Sequence, residues 1–504
     1  MGFGLTRQLR RREPRRNRSG VVRMAVAALV CLGFVVGAHS AQAGQRTLSL
    51  GITDPWSLQQ GSDAENAQWF DRVQASRASF VLLPSLWLRI APGNPTAAFD
   101  ATDPADPEYT WEVLDAAVRN ATKRGLTPAI MVTIAPDWAE GKGRPSGFEI
   151  PKGDDTTTAV DGTWKPRVDY LADYAEAIAR RYTGAFTDPD DPLGGPLPRV
   201  RHFQLWQEPN LAIHLAPRFE NGKPFAAIHY RKMLRGFWGG VHAADKKNKV
   251  ITGGTGPYGD GNPDGVRTSP VEFWRDVLCL KGQKLKKLKC KKPAKFDIAA
   301  HHPINTGPPR QKAFDIDNAS TPDMGKIKRV LRKAAKTGRV KPKGNKPQWA
   351  TEIWWDSNPP DDRPGKGVDL QTQARYVSES MYLLWKQGVR TAIWFTIRDL
   401  APPVTYTSYS SGLYTKQGEP KPALSAFRFP FAVDKRKRGM AKVWGIGPSK
   451  GKVIIELEKG SRWKKIGTTK AGGGRIFSDN MKVPKAGMVR ARRGSEASLG
   501  WKLR

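Results

Sequence analysis

The feature that most constrains the fold is an alternation. Between residues 48 and 430, short apolar or β-branched runs take turns with longer amphipathic segments. Eight of the short runs read as strands: LSLGITD (48–54), SFVLLPSLWL (79–88), PAIMVTIAP (128–136), VRHFQLW (200–206), KVITGG (249–254), FDIAAHH (296–302), PQWATEIWW (347–355) and VRTAIWFTI (389–397). They are near-continuously apolar, the pattern of strands covered on both faces. Helical segments lie between them, among them 109–125, 170–184, 229–248, 324–338 and 371–388, and several end in Gly as helix C-termini do. In 170–184, Tyr170, Leu171, Tyr174, Ile178 and Tyr182 fall on one side. Eight strand–helix units predict an α/β fold, a (β/α)8 TIM barrel over 44–430. A doubly wound open sheet is the alternative.

The two ends of the chain read differently. Eight Arg in residues 7–23, the apolar run Met24–Ala38 and the A-x-A at Ala41–Ala43 make a signal peptide over 1–43. The run is short for a membrane span. The product is expected to be secreted, extracellular or associated with the cell envelope, with no stable transmembrane segment after cleavage; an uncleaved anchor is the alternative. Past 430 a basic stretch, DKRKRG, suggests a linker over 431–439. Short alternating segments follow, such as KVIIELEKG, and predict a small all-β, Ig-like sandwich over 440–504.

Cys31 falls in the segment to be removed. Cys279 and Cys290 remain, and in an oxidising compartment a disulfide between them is the natural expectation, with two free thiols as the alternative.

Net charge is +36. Residues 281–295 hold eight Lys, and residues 431–504 hold 20 Lys+Arg against 5 Asp+Glu. Such a field favours polyanions. For an exported chain these are anionic cell-envelope polymers, met through the basic C-terminal domain; a solvated basic face is the plainer reading. No nucleic-acid motif is present, so nucleic acid is not expected as a partner.

Two motif matches fail on context. GTGPYG (254–259) fits G-x-G-x-x-G, but prolines continue it as a loop where a phosphate site needs a helix N-terminus. GPSKG (447–451) fits G-x-S-x-G, but sits in the β-rich tail. No metal or cofactor is expected either. His301 and His302 are adjacent on a strand, so their side chains point to opposite faces.

In a barrel, function gathers where strands end at the C-terminal face. Strand four ends in Gln207-Glu208-Pro209-Asn210, strand six in His301-His302, and strand seven carries Thr351-Glu352-Ile353-Trp354. Two glutamates at the tops of nearly opposite walls can converge across the mouth. Paired carboxylates beside Trp and His suit glycosidic bond hydrolysis, one as acid and one as nucleophile or base. Strict alternation would send Gln207 and Glu208 to opposite sides, so a bend or bulge is expected there, and Pro209 makes one plausible.

WQEPN (206–210) and TEIWWDSNPPD (351–361) together resemble the signature of glycoside hydrolase clan A, with a family 39-like or family 5-like flavour. The resemblance covers about 48–430. It implies a retaining O-glycoside hydrolase acting on a carbohydrate, with Glu208 as general acid/base and Glu352 as nucleophile. It further implies that Gln207 contacts the sugar 2-hydroxyl, that His302 orients the nucleophile, that Trp394 is the floor under the reacting sugar, and that Trp138 stacks at a flanking subsite. Two positions depart from the family pattern. Gln207 stands where Asn is usual, and the second strand, VLLPSLW (81–87), has Leu where an Arg is usual. Those departures leave room for a second reading: a non-catalytic or weakly active carbohydrate-binding protein on the same barrel.

Overall fold

The computed structural model describes residues 47–145, 159–262, 264–360, 367–400 and 409–503. The expected signal peptide lies outside these residues. Eight parallel strands form the barrel: β1 Ser49–Thr53, β2 Phe80–Leu86, β3 Thr127–Thr133, β4 His202–Leu205, β5 Lys249–Thr252, β6 Ala299–His301, β7 Gln348–Ile353 and β8 Thr391–Phe395. Ladders run in sequence from β1 to β5, and β8 joins β1 to β7 and β6. Bridges Ile251–Ile298 and Thr255–His301 close the last gap, between β5 and β6. Closure excludes the open sheet.

Alternation along each strand divides two cores. Leu82, Ala129, Met131 and Ile393 pack together in one interior group, and Ile251, Ile298, Ala300 and Trp349 in another. Their neighbours Val81, Leu83, Ile130, Val132, Phe203, Leu205 and Trp394 belong to the larger core shared with the helices. The rings of Phe80, His202 and Trp349 meet at 5.2–5.6 Å inside the barrel, near the N-terminal ends of their strands. Burial pushes the His202 imidazole down to about 4, so it packs as a neutral ring.

The helices follow local rules. Asp63–Ala75 opens on a capping box of Ser62 and Glu65. Helices Val168–Arg181 and Phe225–Ala244 lie so close that a Cβ on Gly240 would meet the Ala172 carbonyl at 2.1 Å; only glycine permits that crossing.

Beyond the barrel stand two antiparallel sheets. One joins Phe431–Lys435, Met440–Ile446 and Ile476–Lys482; the other joins Gly451–Lys459, Arg462–Ala471, Gly487–Arg493 and Trp501–Leu503. The expected linker is therefore in large part a strand. Phe431, Ala432 and Val433 are buried and pair with Met440–Ile446, while the basic run forms the exposed turn. The sheets are fastened to the barrel helix Leu370–Gln387. Tyr382 Oη donates to Asp434 at 2.6 Å, and the Arg375 guanidinium lies 3.7 Å from the Trp501 ring centre. Cys279 and Cys290 form a disulfide in the lysine-rich segment. Among the described residues no helix is long and apolar enough to cross a membrane.

Candidate active site

The end of β4 is bent as its sequence required. Trp206 and Glu208 both have left-handed backbones, with φ of 70° and 37°. Each such residue costs on the order of 1–3 kcal/mol and persists only where its surroundings hold it. Trp206 N donates to Val132 O at 2.6 Å, and Glu208 N donates to Gly254 O at 2.9 Å. Asn210, fully buried, fastens the next loop: its Nδ2 donates to Gly256 O and Thr268 O, and its Oδ1 accepts from Gly256 N. Pro209 stands between these clamps. The bend breaks the two-residue alternation and turns Glu208 inward.

On β7 the same end is reached by a register shift against β8, between Ala350 and Ile353. The irregularity falls at Thr351-Glu352, next to the carboxylate it re-aims. His302 follows directly on β6 and stands between the two acids. Its Nδ1 is 2.8 Å from Glu208 Oε1 and 3.7 Å from Glu352 Oε2. Those two oxygens are thus no more than about 6.5 Å apart, a span that includes the retaining separation of roughly 5–5.5 Å and stops where the inverting range begins. The Glu208 and Glu352 side chains keep 14% and 16% exposure while His302 keeps 2%, so the acids are open to a ligand and the imidazole lies behind them. His301 faces the other way, between Thr255 Oγ1 and Ala319 O.

Glycines make room for this trio. A Cβ on Gly254 would fall 2.0 Å from His302 Nε2 and 2.7 Å from Thr351 Oγ1, and one on Gly256 would crowd the Glu208 carboxyl at 3.3 Å. The G-x-G-x-x-G stretch therefore serves the carboxylates by close approach, not a phosphate.

Electrostatics follow from the contacts. Burial alone would raise Glu208, but the His302 hydrogen bond and the attraction of His302 and His214 outweigh it and hold its carboxyl below the usual value. Glu352 is pushed up by burial and by repulsion from Glu208, against the pull of His302 and a hydrogen bond from Trp354 Nε1 at 3.1 Å. Burial would lower His302, but Glu352 and Glu208 together hold it high. The two shifts thus run opposite to the expected roles, Glu352 up and Glu208 down. Among the described residues the basic groups within 4 Å of either carboxylate are histidines, and no arginine is among them.

The structure brings Glu208, His302 and Glu352 together, with Gln207 half-buried beside them. It differs from the sequence analysis at three residues. His302 hydrogen-bonds Glu208, not the expected nucleophile. Trp394 points outward, stacked on Trp355 at 6.2 Å with its Nε1 donating to Ser411 O. The strand-eight ring on the mouth side is its neighbour Phe395, which meets Tyr409 at 4.9 Å and Trp56 at 5.7 Å. Tyr409 in turn meets Trp354, the donor to Glu352. Trp138 packs among Trp87, Phe99 and Tyr170, with its Nε1 on Pro92 O. His214 and Tyr409 were missed because they lie on loops, and Trp56 because it lies in the five-residue helix Pro55–Gln59, too short for periodicity to mark a direction. Among the described residues no group of three or more His, Cys, Asp or Glu is arranged to hold a metal ion.

A closed (β/α)8 barrel with a glutamate at the ends of strands four and seven has the fold of the clan A glycoside hydrolases. A family 39 glycoside hydrolase from the gut symbiont Bacteroides cellulosilyticus WH2 superposes with a TM-score of 0.52, at 15% identity, over 87% of this chain and 80% of that one. The GH39 enzyme from Xanthomonas axonopodis pv. citri gives a TM-score of 0.47 at 14% identity, over 87% and 92%. No family model and no curated protein matches the sequence.

Proposed function

We propose that the chain is a glycoside hydrolase that cleaves O-glycosyl bonds of an oligo- or polysaccharide by double displacement. The observation that carries this reading is the pair Glu208 and Glu352, open at the barrel mouth and joined through His302. In the first step a Glu352 oxygen attacks the anomeric carbon. The glycosidic C–O bond breaks, and Glu208 gives its proton to the leaving oxygen. In the second, Glu208 takes a proton from water, whose oxygen displaces Glu352.

The assignment needs the proton on Glu208 when the bond breaks. Moving one proton from Glu352 to Glu208 leaves the charge of the trio unchanged, and His302 Nδ1 faces both oxygens. The exchanged assignment, Glu352 as acid and Glu208 as nucleophile, is the one the resting electrostatics favour. The clan A resemblance favours the first. The clan A resemblance assigns Gln207, next to Glu208, to the 2-hydroxyl.

A secreted setting agrees with the disulfide and with the signal-like N-terminus. The basic C-terminal sheets would hold the enzyme on an anionic envelope polymer.

The test is a panel of 2-deoxy-2-fluoro glycosides with activated leaving groups, followed by peptide mass mapping. Label on Glu352 is the expected result, and label on Glu208 exchanges the roles. Glu208→Gln and Glu352→Gln should each lower turnover of an activated aryl glycoside by about 10³-fold or more, with the fold intact. Sugar binding with no turnover by the wild type would make the protein a binding module instead.

A further inference from the structure

Two segments that hold no acid meet on one flank of the barrel. Residues 281–295 hold eight Lys, residues 324–346 hold ten Lys and Arg, and neither holds an Asp or Glu. The first folds as a hairpin, Leu280–Lys281 against Lys286–Lys287, closed by the Cys279–Cys290 disulfide. The second is helix Met324–Lys336 with the short strand Val340–Lys341 after it. That strand pairs with Ala294–Lys295, the Arg339 guanidinium donates to Leu288 O, and Arg329 donates to Gln283 Oε1 at 3.3 Å. Cations distant in the chain are thereby joined in one field.

The hairpin's charge is not met from within the protein. All seven Lys of 281–292 are exposed, and among the described residues none has a carboxylate within 4 Å. Asp317, which accepts from Gln283 in the hairpin turn, is already paired with Arg275 at 2.6 Å. On the C-terminal sheets, by contrast, Arg490 and Arg492 both bond Glu456, and Arg436 bonds Asp434. Ammonium groups held together on a closed turn repel one another, and an arriving polyanion relieves that repulsion.

Beside the helix the surface deepens into a cavity of about 240 Å³. Its charged walls are Lys328, Arg332, Lys346 and Arg390, all cations, and Asn345 and Gln348 add amides. The space is small, room for one acidic unit of a longer chain. Neither segment contains an aromatic residue, and Leu288, 41% exposed, is their one large apolar side chain at the surface among the described residues. Bases of a single-stranded nucleic acid therefore find no stacking platform, and a lipid surface finds little apolar to take up. What the flank offers a partner is charge.

We infer that this flank binds a linear acidic polysaccharide, its ammonium groups meeting carboxylates along the chain, and that it does so ahead of the C-terminal sheets. The inference does not depend on the glycosidase reading. A lysine is a point charge without the planar fork of an arginine, so the hairpin recognises charge density rather than one sugar. The two segments supply no carboxylate to act as acid or nucleophile, so the contact tethers the polymer and does not cleave it.

The experiment measures binding of the full chain to polygalacturonate, with dextran as the neutral polymer and phosphatidylglycerol vesicles as the lipid surface. Wild type should bind polygalacturonate and not dextran, with a Kd that weakens about tenfold or more between about 50 and 200 mM salt. Lys284→Glu, Lys286→Glu, Lys287→Glu and Lys289→Glu combined should weaken Kd about tenfold or more at unchanged Tm. The pair Arg332→Glu and Lys336→Glu, on the helix, should weaken it about threefold or more and tests the flank without touching the hairpin. Lys452→Glu, Lys464→Glu, Lys465→Glu and Lys470→Glu combined make the same change of net charge on the C-terminal sheets and should weaken it less. Hairpin and helix variants that both stay within about twofold of wild type overturn the inference. So does a loss in the C-terminal variant as large as in the hairpin variant, which would mean that net charge or the sheets hold the polymer. A wild type that binds the vesicles but not polygalacturonate, or binds dextran equally well, overturns it too. The glycosidase reading stands or falls apart from all of these.

Discussion

His302 Nδ1 lies 2.8 Å from Glu208 Oε1, in a pocket where His302 is almost wholly buried. A buried imidazole, and no arginine, faces the two carboxylates within 4 Å among the described residues. The site's charge is therefore titratable, where an arginine would have made it permanent.

That difference sets a pH dependence. His302 is held above its usual value although burial opposes it, because Glu352 and Glu208 face it; His214 is the other titratable group beside Glu208, at 3.8 Å. A histidine raised on folding adds stability that is complete below about pH 6.5 and is lost as the pH rises through its folded value. Glu352, also raised, loses its contribution in the same direction, whereas Glu208, lowered, loses its contribution as the pH falls. The gap in Tm between wild type and His302→Asn should be wider at about pH 6 than at about pH 9. Thermal melts across that range check it, and a gap that does not change with pH would mean that His302 stays neutral.

Gly254 is the second point of sensitivity. An added methyl has no room beside His302 Nε2 and Thr351 Oγ1. Gly254→Ala should cost about 1–3 kcal/mol of stability by overpacking and lower kcat/KM about tenfold or more by displacing His302. Denaturant unfolding and steady-state kinetics measure both. Wild-type values in both would show that the neighbours yield.

Strand eight offers a paired comparison. Trp394→Leu should cost about 2–4 kcal/mol, since it empties space in the helix-layer core, and should leave KM near that of wild type. Phe395→Leu keeps most of the volume but loses the ring at the mouth, and should raise KM for the aryl glycoside about tenfold. The opposite pattern would return the sugar floor to Trp394.

The barrel was legible because its signals are local. Apolar strands, amphipathic helices and glycine stops are each read from a few neighbours, and eight repetitions leave little else to build. Glu208 and Glu352 were legible for the same reason, as acids at strand ends on opposite walls. The strand at Phe431–Lys435 was not, because the basic residues that follow it carried the compositional signal of a linker.

By itself the sequence determined the architecture, the two acids at the mouth and the break at Glu208-Pro209, since each depends on short-range periodicity and backbone chemistry. Tertiary structure alone decided which acid His302 binds, that Phe395 and not Trp394 turns to the mouth, and that glycines 254 and 256 are spaces for the site. These depend on register between strands distant in the chain, where a shift of one residue sends a side chain to the other face.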